Sequence, residues 1–431
     1  MVPRGRKTLV PSLPALRCVV NGREFFYFLF HFMKKVILAF SGGLDTSFCI
    51  PYLKEKGYQV ITVTVNTGGF TQKHLKEIAH WAKKLGAHKH FQVDAQDSLY
   101  EKFATYIIKA NYLKGGVYPA CVGPERNTIA AEVAKIAKRE KASCIAHGST
   151  GAGNDQVRFD LALRALLPGC TILAPIRDEN ITRAQEASFL QKKGIMIDAG
   201  KKDYSINIGL LGTTIGGKET LGTEKELPEH VFPAVKSFER AKNTSITFDI
   251  GFKKGLPSSL NGKKHGGVEL INALNSLSAC CGFGKDYHIG TTILGTKGRI
   301  GFEAPAMKIL IKAHAELEKI TLTAKQIFWK NTLGTLYGDL IHEGLYFDPV
   351  VKNLEAFLDS ASEFVEGNVT VKIKKGLLTI SSIQSPYSLM NSKLGVYGEK
   401  TGAWTGEDAK GFCKLYGLES ANAFLTHRHH V

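Results

Sequence analysis

Three absences narrow the reading of this 431-residue chain before any motif is considered. No apolar run reaches the roughly 20 residues that a helix needs to cross a bilayer. The densest run, Phe25 to Phe30, is too short and has no small-residue cleavage site after it, so neither a membrane helix nor a signal peptide is expected. None of the eight cysteines stands in a CxxC pair, which argues against structural zinc and a redox couple and points to a reducing setting. Acidic residues are scarce. There are 39 Asp and Glu against 56 Lys and Arg, for a formal net charge of +17. That balance favours anionic partners. The lysines are spread along presumed helix faces without the aromatic-and-basic modules of RNA binders, so ATP and carboxylates are expected rather than nucleic acid. With 44% hydrophobic and 22% charged residues and no internal repeat, the chain reads as globular, with two or three domains.

What is present centres on residues 35 to 47, KVILAFSGGLDTS. Val36 to Phe40 is a short apolar run ahead of turn residues, the pattern of a buried parallel strand. Ser41, Gly42 and Gly43 follow at once. Glycines let the backbone turn tightly and aim N–H groups at an anion, and Asp45, Thr46 and Ser47 are expected to cap the helix that follows. A phosphate at that helix start is the natural guest. No lysine follows the glycines, so this is not a GxxxxGK[ST] loop reading a γ-phosphate.

Residues 1–32 carry Arg4, Arg6, Lys7, Arg17 and Arg23 against one acid, Glu24, and read as an extension or as sequence ahead of a start at Met33. From 33 to 196, short apolar runs alternate with helical periodicity, the mark of a doubly wound parallel sheet. Its expected strands are Val36 to Phe40, Gln59 to Val65, His90 to Val93, Ser143 to Ala146 and Thr171 to Leu173. Helices are expected over Ser47 to Lys56, Gln72 to Leu85, Ser98 to Ala110, Glu125 to Lys141 and Thr182 to Lys193. The strand ends, Ser41 to Asp45, Asn66 to Gly69 and His147 to Asp155, should meet at one crevice. From 197 to 390 the pattern is α+β: an irregular binding loop over Lys201 to Leu221, a strand over Ser245 to Phe252, helices near Val268, Ala306 and Ala324, and a hairpin through Lys374-Lys375-Gly376. Residues 391–431 read as a helical tail that packs on another subunit.

HGSTGAGNDQVRFD, His147 to Asp160, offers an amide, a carboxylate and a guanidinium on a loop of small residues, which suits a zwitterionic amino acid. SGGLDTS resembles the PP-loop of the ATP pyrophosphatases. Together with HGSTGAGNDQVRFD and the Tyr204 to Thr214 segment, it resembles argininosuccinate synthase from Met33 to about Gly411. The resemblance implies a cytoplasmic homotetramer in which citrulline's ureido oxygen attacks the α-phosphorus of MgATP, after which aspartate's amine displaces AMP. It places ATP on Ala39, Phe40, Ser41, Gly42, Gly43, Leu44, Asp45, Thr46, Ser47, Val65 and Gly148. It places aspartate on Thr150, Asn154 and Asp155, and citrulline on Tyr118, Asn154, Arg158, Ser205 and Thr214. Asp45, Asp155 and Arg158 are the expected catalytic residues, and magnesium is expected on the phosphates, without side-chain ligands.

Four positions depart from the commoner pattern. Gly123 stands where many members carry serine, Gly290 and Phe302 where a glutamate and a tyrosine face citrulline, and Ala152 where a lysine interrupts the glycines. Cys121 or the Glu125-Arg126 pair is the expected compensation. Two rival readings follow, a tRNA-modifying PP-loop enzyme and a non-catalytic nucleotide-binding relative.

Overall fold

The structure, a computed structural model, describes residues 16–20, 23–27, 33–196, 203–399 and 401–428. The expected boundary at residue 197 and most of the first 32 residues lie outside them. Within the latter, Leu16–Val20 and Arg23–Tyr27 pair as an antiparallel hairpin.

Five parallel strands form the first sheet, in the order Lys89–Asp94, Gln59–Asn66, Lys35–Ala39, Cys144–Ala146, Thr171–Leu173. The strand order reverses between Lys35–Ala39 and Cys144–Ala146. Open α/β sheets bind ligands at such a reversal, outside the carboxyl ends of the strands. Alternation along Lys35–Ala39 explains why the sheet is covered on both faces. Ile37 points to Val133, Ala137 and Leu163, whereas Val36 and Leu38 point to Phe48, Leu53 and Ile78. All three strand residues are fully buried, each worth about 1.5–3 kcal/mol of apolar burial. The helix expected from Ser47 begins at Leu44 and runs unbroken through Pro51 to Glu55, and that expected from Glu125 begins at Val122.

The remainder contains two antiparallel sheets. One has the order Lys263–Lys264, Leu256–Leu260, Ile246–Lys253, Gly367–Lys374, Leu377–Gln384, and the other Lys285–Thr291, Lys297–Glu303, Gly212–Gly217, Tyr204–Gly209. Helices Pro305–Thr321 and Ala324–Glu343 run through the main core, where Met307, Leu310, Leu317 and Tyr337 are buried. Leu99, Phe103, Ile107 and Ile108 join that same core, so the segment after the third parallel strand leaves the first sheet and packs on the helices of the second half.

The irregular loop expected over Lys201 to Leu221 is corrected. Lys201 and Lys202 lie outside the described residues, but Tyr204–Gly209 and Gly212–Gly217 form a hairpin within the four-stranded sheet. Glycines at both strand ends depress the strand signal and hide a period-two pattern. Lys285–Thr291 and Lys297–Glu303 give an equally weak strand signal, interrupted by Gly290, Gly298 and Gly301. The tail forms helices Gly406–Tyr416 and Leu418–Arg428, neither with a buried residue. Among the described residues no helix is long and apolar enough to cross a membrane.

Candidate active site

The glycine turn begins where Phe40 leaves the sheet, its N–H donating to Val63 O at 2.9 Å and its carbonyl accepting from Thr64 Oγ1 at 2.6 Å. Gly42 then takes φ +79°, and a Cβ there would lie 3.1 Å from Ile78 Cγ1, so the turn needs glycine on two counts. Helix Leu44–Glu55 starts on Gly43 with no side-chain cap. This corrects the expected capping: the Thr46 and Ser47 hydroxyls donate back to the carbonyls of Gly43 and Gly42 instead, at 3.3 and 3.5 Å. The first-turn N–H groups therefore face outward at the positive end of the helix, ready for an anion. Trp81 Nε1–H, donating to Ser47 Oγ at 2.9 Å, ties this helix to the next.

The second loop touches the first. A Cβ on Gly148 would lie 3.0 Å from Thr46 Cγ2 and 3.1 Å from Thr46 N, so only glycine lets the strand end Cys144–Ala146 run this close to the phosphate turn. Ser149 N–H donates to His147 Nδ1, which leaves the ring proton on Nε2, 3.0 Å from Asp160 Oδ1. Burial opposes the charge on Asp160, but His147 and Arg177 outweigh it and hold the carboxylate below its ordinary range. Helix Asn154–Leu166 also starts on a glycine, Gly153, without a side-chain cap. Two bare helix starts thus open on one crevice. Thr150 lies exposed at its rim, and Val65 is buried at the end of the neighbouring strand.

From that helix start a string of charges crosses to the second half. Asp155 accepts from Arg126 Nε at 2.8 Å and from Arg158 Nη1 at 2.9 Å. Burial works against its charge, yet the two guanidinium groups win and depress its pKa. Arg126 also donates from Nη2 to Asn207 Oδ1 at 3.0 Å, joining helix Val122–Glu140 to strand Tyr204–Gly209. Arg158 is buried and donates from Nε to the His342 carbonyl at 2.7 Å. One N–H on each of its terminal nitrogens remains after these contacts and the 3.4 Å approach to His342 Nε2. Burial, then Arg158, drives His342 down to about 2, so the ring stays neutral. Asn154 Oδ1 accepts from Ile293 N–H at 3.0 Å, leaving its amide nitrogen as a donor.

Register shows what faces this string. Asn207 pairs with Thr214, Thr214 with Phe302, and Phe302 with Asp286, and paired residues share a face of the sheet. Ser205, Asn207, Gly209, Thr214, Gly216, His288, Gly290 and Phe302 therefore line one side. It is the side toward Tyr118, whose ring stacks on His288 at 5.5 Å and meets Phe302 edge-on at 5.2 Å. Tyr118 OH accepts Val122 N–H at 3.2 Å. The register and contacts thus bring Tyr118, Asn154, Asp155, Arg158 and Thr214 together, with Ser205 exposed beyond them, whereas Ser47 is buried against Trp81.

The departures have local causes. A Cβ on Gly123 would lie 2.9 Å from His342 Cα and from Ile341 O, so helix Ala324–Glu343 fills the space a serine would need. Over Gly290, His288 Nε2 lies 2.8 Å from where a Cβ would be. Cys121 does not compensate: its thiol donates to the Leu211 carbonyl at 3.2 Å, and burial pushes its pKa up. Glu125 is buried against Gly209, and desolvation raises it to about 8 despite Arg126. Sequence reading missed Asn207, His288 and His342. Glycines obscure the strand that carries Asn207, and packing over long stretches of chain brings in the other two.

A parallel sheet reversed at its centre, with a bare glycine-turned helix start at the reversal, defines the PP-loop class of nucleotide-binding domain. Residues 35–196 match the arginosuccinate synthase N-terminal HUP domain and residues 204–423 the arginosuccinate synthase C-terminal domain. The chain is 39% identical over 391 residues to argininosuccinate synthase of Pyrococcus furiosus, covering 90% of this chain and 94% of that one. It is 38% identical over 385 residues to that of Methanocaldococcus jannaschii, covering 89% and 96%. To that of Xanthomonas campestris it is 38% identical over 399 residues, covering 90% and 97%. The chain belongs to the argininosuccinate synthase family.

Proposed function

We propose that the chain joins citrulline to aspartate, forming argininosuccinate and converting ATP to AMP and pyrophosphate. The observation that carries this reading is the string Arg126–Asp155–Arg158, held at a bare helix start that adjoins the phosphate turn through Gly148. Gly42, Gly43 and the first-turn amides of Leu44–Glu55 receive the outer phosphates, with Ala39, Phe40 and Val65 beside the rest of the nucleotide. Magnesium, carried on the phosphates, supplies charge neutralisation for the leaving pyrophosphate. Citrulline lies between Tyr118, Arg158, Ser205 and Thr214. Its neutral ureido oxygen attacks the α-phosphorus, the bond to the β-phosphate oxygen breaks, and pyrophosphate leaves. Aspartate, held by Thr150, Asn154 and Asp155, attacks the ureido carbon with its amine; the carbon–oxygen bond breaks and AMP departs with the amine proton on a phosphate oxygen. Positioning supplies much of the rate, because no step requires a strong base.

The same reading makes the enzyme a cytoplasmic homotetramer. Cys49, Cys121, Cys144, Cys170, Cys280, Cys281 and Cys413 are unbridged, as in a reducing compartment. Trp404, Phe412, Leu415, Phe424 and Leu425 stand exposed on the tail, an apolar surface suited to another subunit. Omitting ATP, citrulline and aspartate in turn tests the reaction. AMP formation should need all three, and activity that instead required tRNA would favour the modifying-enzyme alternative.

A further inference from the structure

The ligand face of the four-stranded sheet has little negative charge to offer. Asp286, His288, Gly290 and Phe302 share that face by register, and Thr214 continues it on the next strand. Gly290 brings no side chain, and the His288 ring lies over it, with Nε2 2.8 Å from where a Cβ would be. The ring also stacks on Tyr118 at 5.5 Å, and its Nδ1 and Cε1 lie 3.3 Å from where Gly115 would carry a Cβ. Burial, then Lys114, lowers the His288 pKa, which favours the neutral ring.

Among the described residues, the acids that contacts place beside this wall are each engaged. Asp286 pairs with Lys308 at 3.2 Å and accepts Tyr287 N–H at 2.8 Å. Asp339 accepts from Lys114, the neighbour of Gly115, at 3.0 Å and from Tyr112 OH at 2.6 Å. Asp155 serves both Arg126 and Arg158. Glu125 is 3% exposed, and its unpartnered Oε1 is sealed from solvent against Gly209. Desolvation raises its pKa to about 8, so the acid is mostly neutral at pH 7.

A ligand carboxylate meets Arg158 here, and a neutral ureido group needs only hydroxyls and amides. An α-ammonium is served differently. Taken from water it needs a counter-charge, and a neutral imidazole or hydroxyl accepts its hydrogen bond without supplying one. We propose that the crevice reads the ureido and carboxylate ends of its substrate but not an α-ammonium, so that ureido acids lacking that group are joined to aspartate as well as citrulline is. This rests on the reading of the crevice as the citrulline site and widens its substrate class. The bonds are those of the citrulline reaction: the ureido oxygen takes the α-phosphorus and pyrophosphate leaves. Aspartate's amine then forms the carbon–nitrogen bond, the carbon–oxygen bond breaks, and AMP departs with the amine proton.

AMP release by the full-length protein, with ATP, aspartate and either citrulline or δ-ureidovalerate, tests this. The second compound is citrulline without its α-amine. Wild-type kcat/KM for the two should agree within about threefold. His288→Glu, which adds a carboxylate to the wall, should favour citrulline over δ-ureidovalerate by about tenfold or more, and its turnover of citrulline shows that it folds. A wild type that prefers citrulline by tenfold or more, a comparison that needs no variant, would overturn the proposal and leave the citrulline reading standing. An unchanged ratio in an active His288→Glu would overturn it too, by showing that the wall at His288 does not face the substrate. AMP release with neither compound, by a protein that binds ATP, would overturn the citrulline reading and the wider substrate class with it.

Discussion

Arg126 holds together three elements that sequence places far apart: its own helix, the Asp155 helix start and the Asn207 strand. Lysine keeps the charge but not the planar fork, so it cannot serve both partners. For Arg126→Lys we expect kcat/KM for citrulline and for aspartate to fall by roughly tenfold or more, from lost charge-assisted bonds worth about 1.5–3 kcal/mol. KM for ATP should stay within about threefold, and steady-state kinetics with each substrate varied will show the split. Glu125 gives a pH prediction. Its folded pKa of about 8 lies above the ordinary value because burial favours the neutral acid. The unfolded chain therefore loses this proton first, and the group lowers stability progressively as pH rises from about 4.5 to 8, by up to about 1.4 kcal/mol per unit. Thermal melts should show Glu125→Gln gaining on wild type across that window and no further above it. A constant difference would mean that Glu125 is not a buried acid.

The two glycine-started helices are the elements on which binding depends. Gly148→Ala would push a methyl group to within 3.0 Å of Thr46 Cγ2 and 3.1 Å of its amide. Overpacking of that kind costs about 1–3 kcal/mol of stability, so the Tm should fall by a few degrees and, with the glycine turn displaced, KM for ATP should rise. The phosphate turn was legible because strand, glycines and helix are contiguous, and local chemistry dictates each. So was the His147 to Asp160 loop, whose polar residues have no use in a core. The facing wall was not. In its hairpin Gly209 closes on Glu125 and Gly212 on Cys121, and glycines at such close approaches erase the strand signal. His342 carries no signal at all, since only packing brings it to Arg158. The expected cap on Leu44–Glu55 is absent because Gly43 holds the cap position and has no side chain, which leaves the first-turn amides free of an internal partner.

At the scale of the whole molecule, the first half and the four-stranded sheet, which face each other across the proposed site, are pinned together by Arg126–Asn207 and by Leu210 N–H donating to the Thr67 carbonyl at 2.8 Å. The exposed apolar tail belongs to this scale too. Removing residues 391–431 should convert a tetramer to smaller species in sedimentation velocity, and a wild type that sediments as a monomer would contradict the assigned role of the tail. The central claim is that the crevice activates a ureido oxygen with the α-phosphate of ATP before aspartate takes part. Citrulline-dependent exchange of labelled pyrophosphate into ATP, measured without aspartate, tests it most directly. Exchange that requires citrulline and yields argininosuccinate and AMP once aspartate is added is the predicted result; no exchange with citrulline, by an enzyme that binds ATP at the glycine turn, would contradict it.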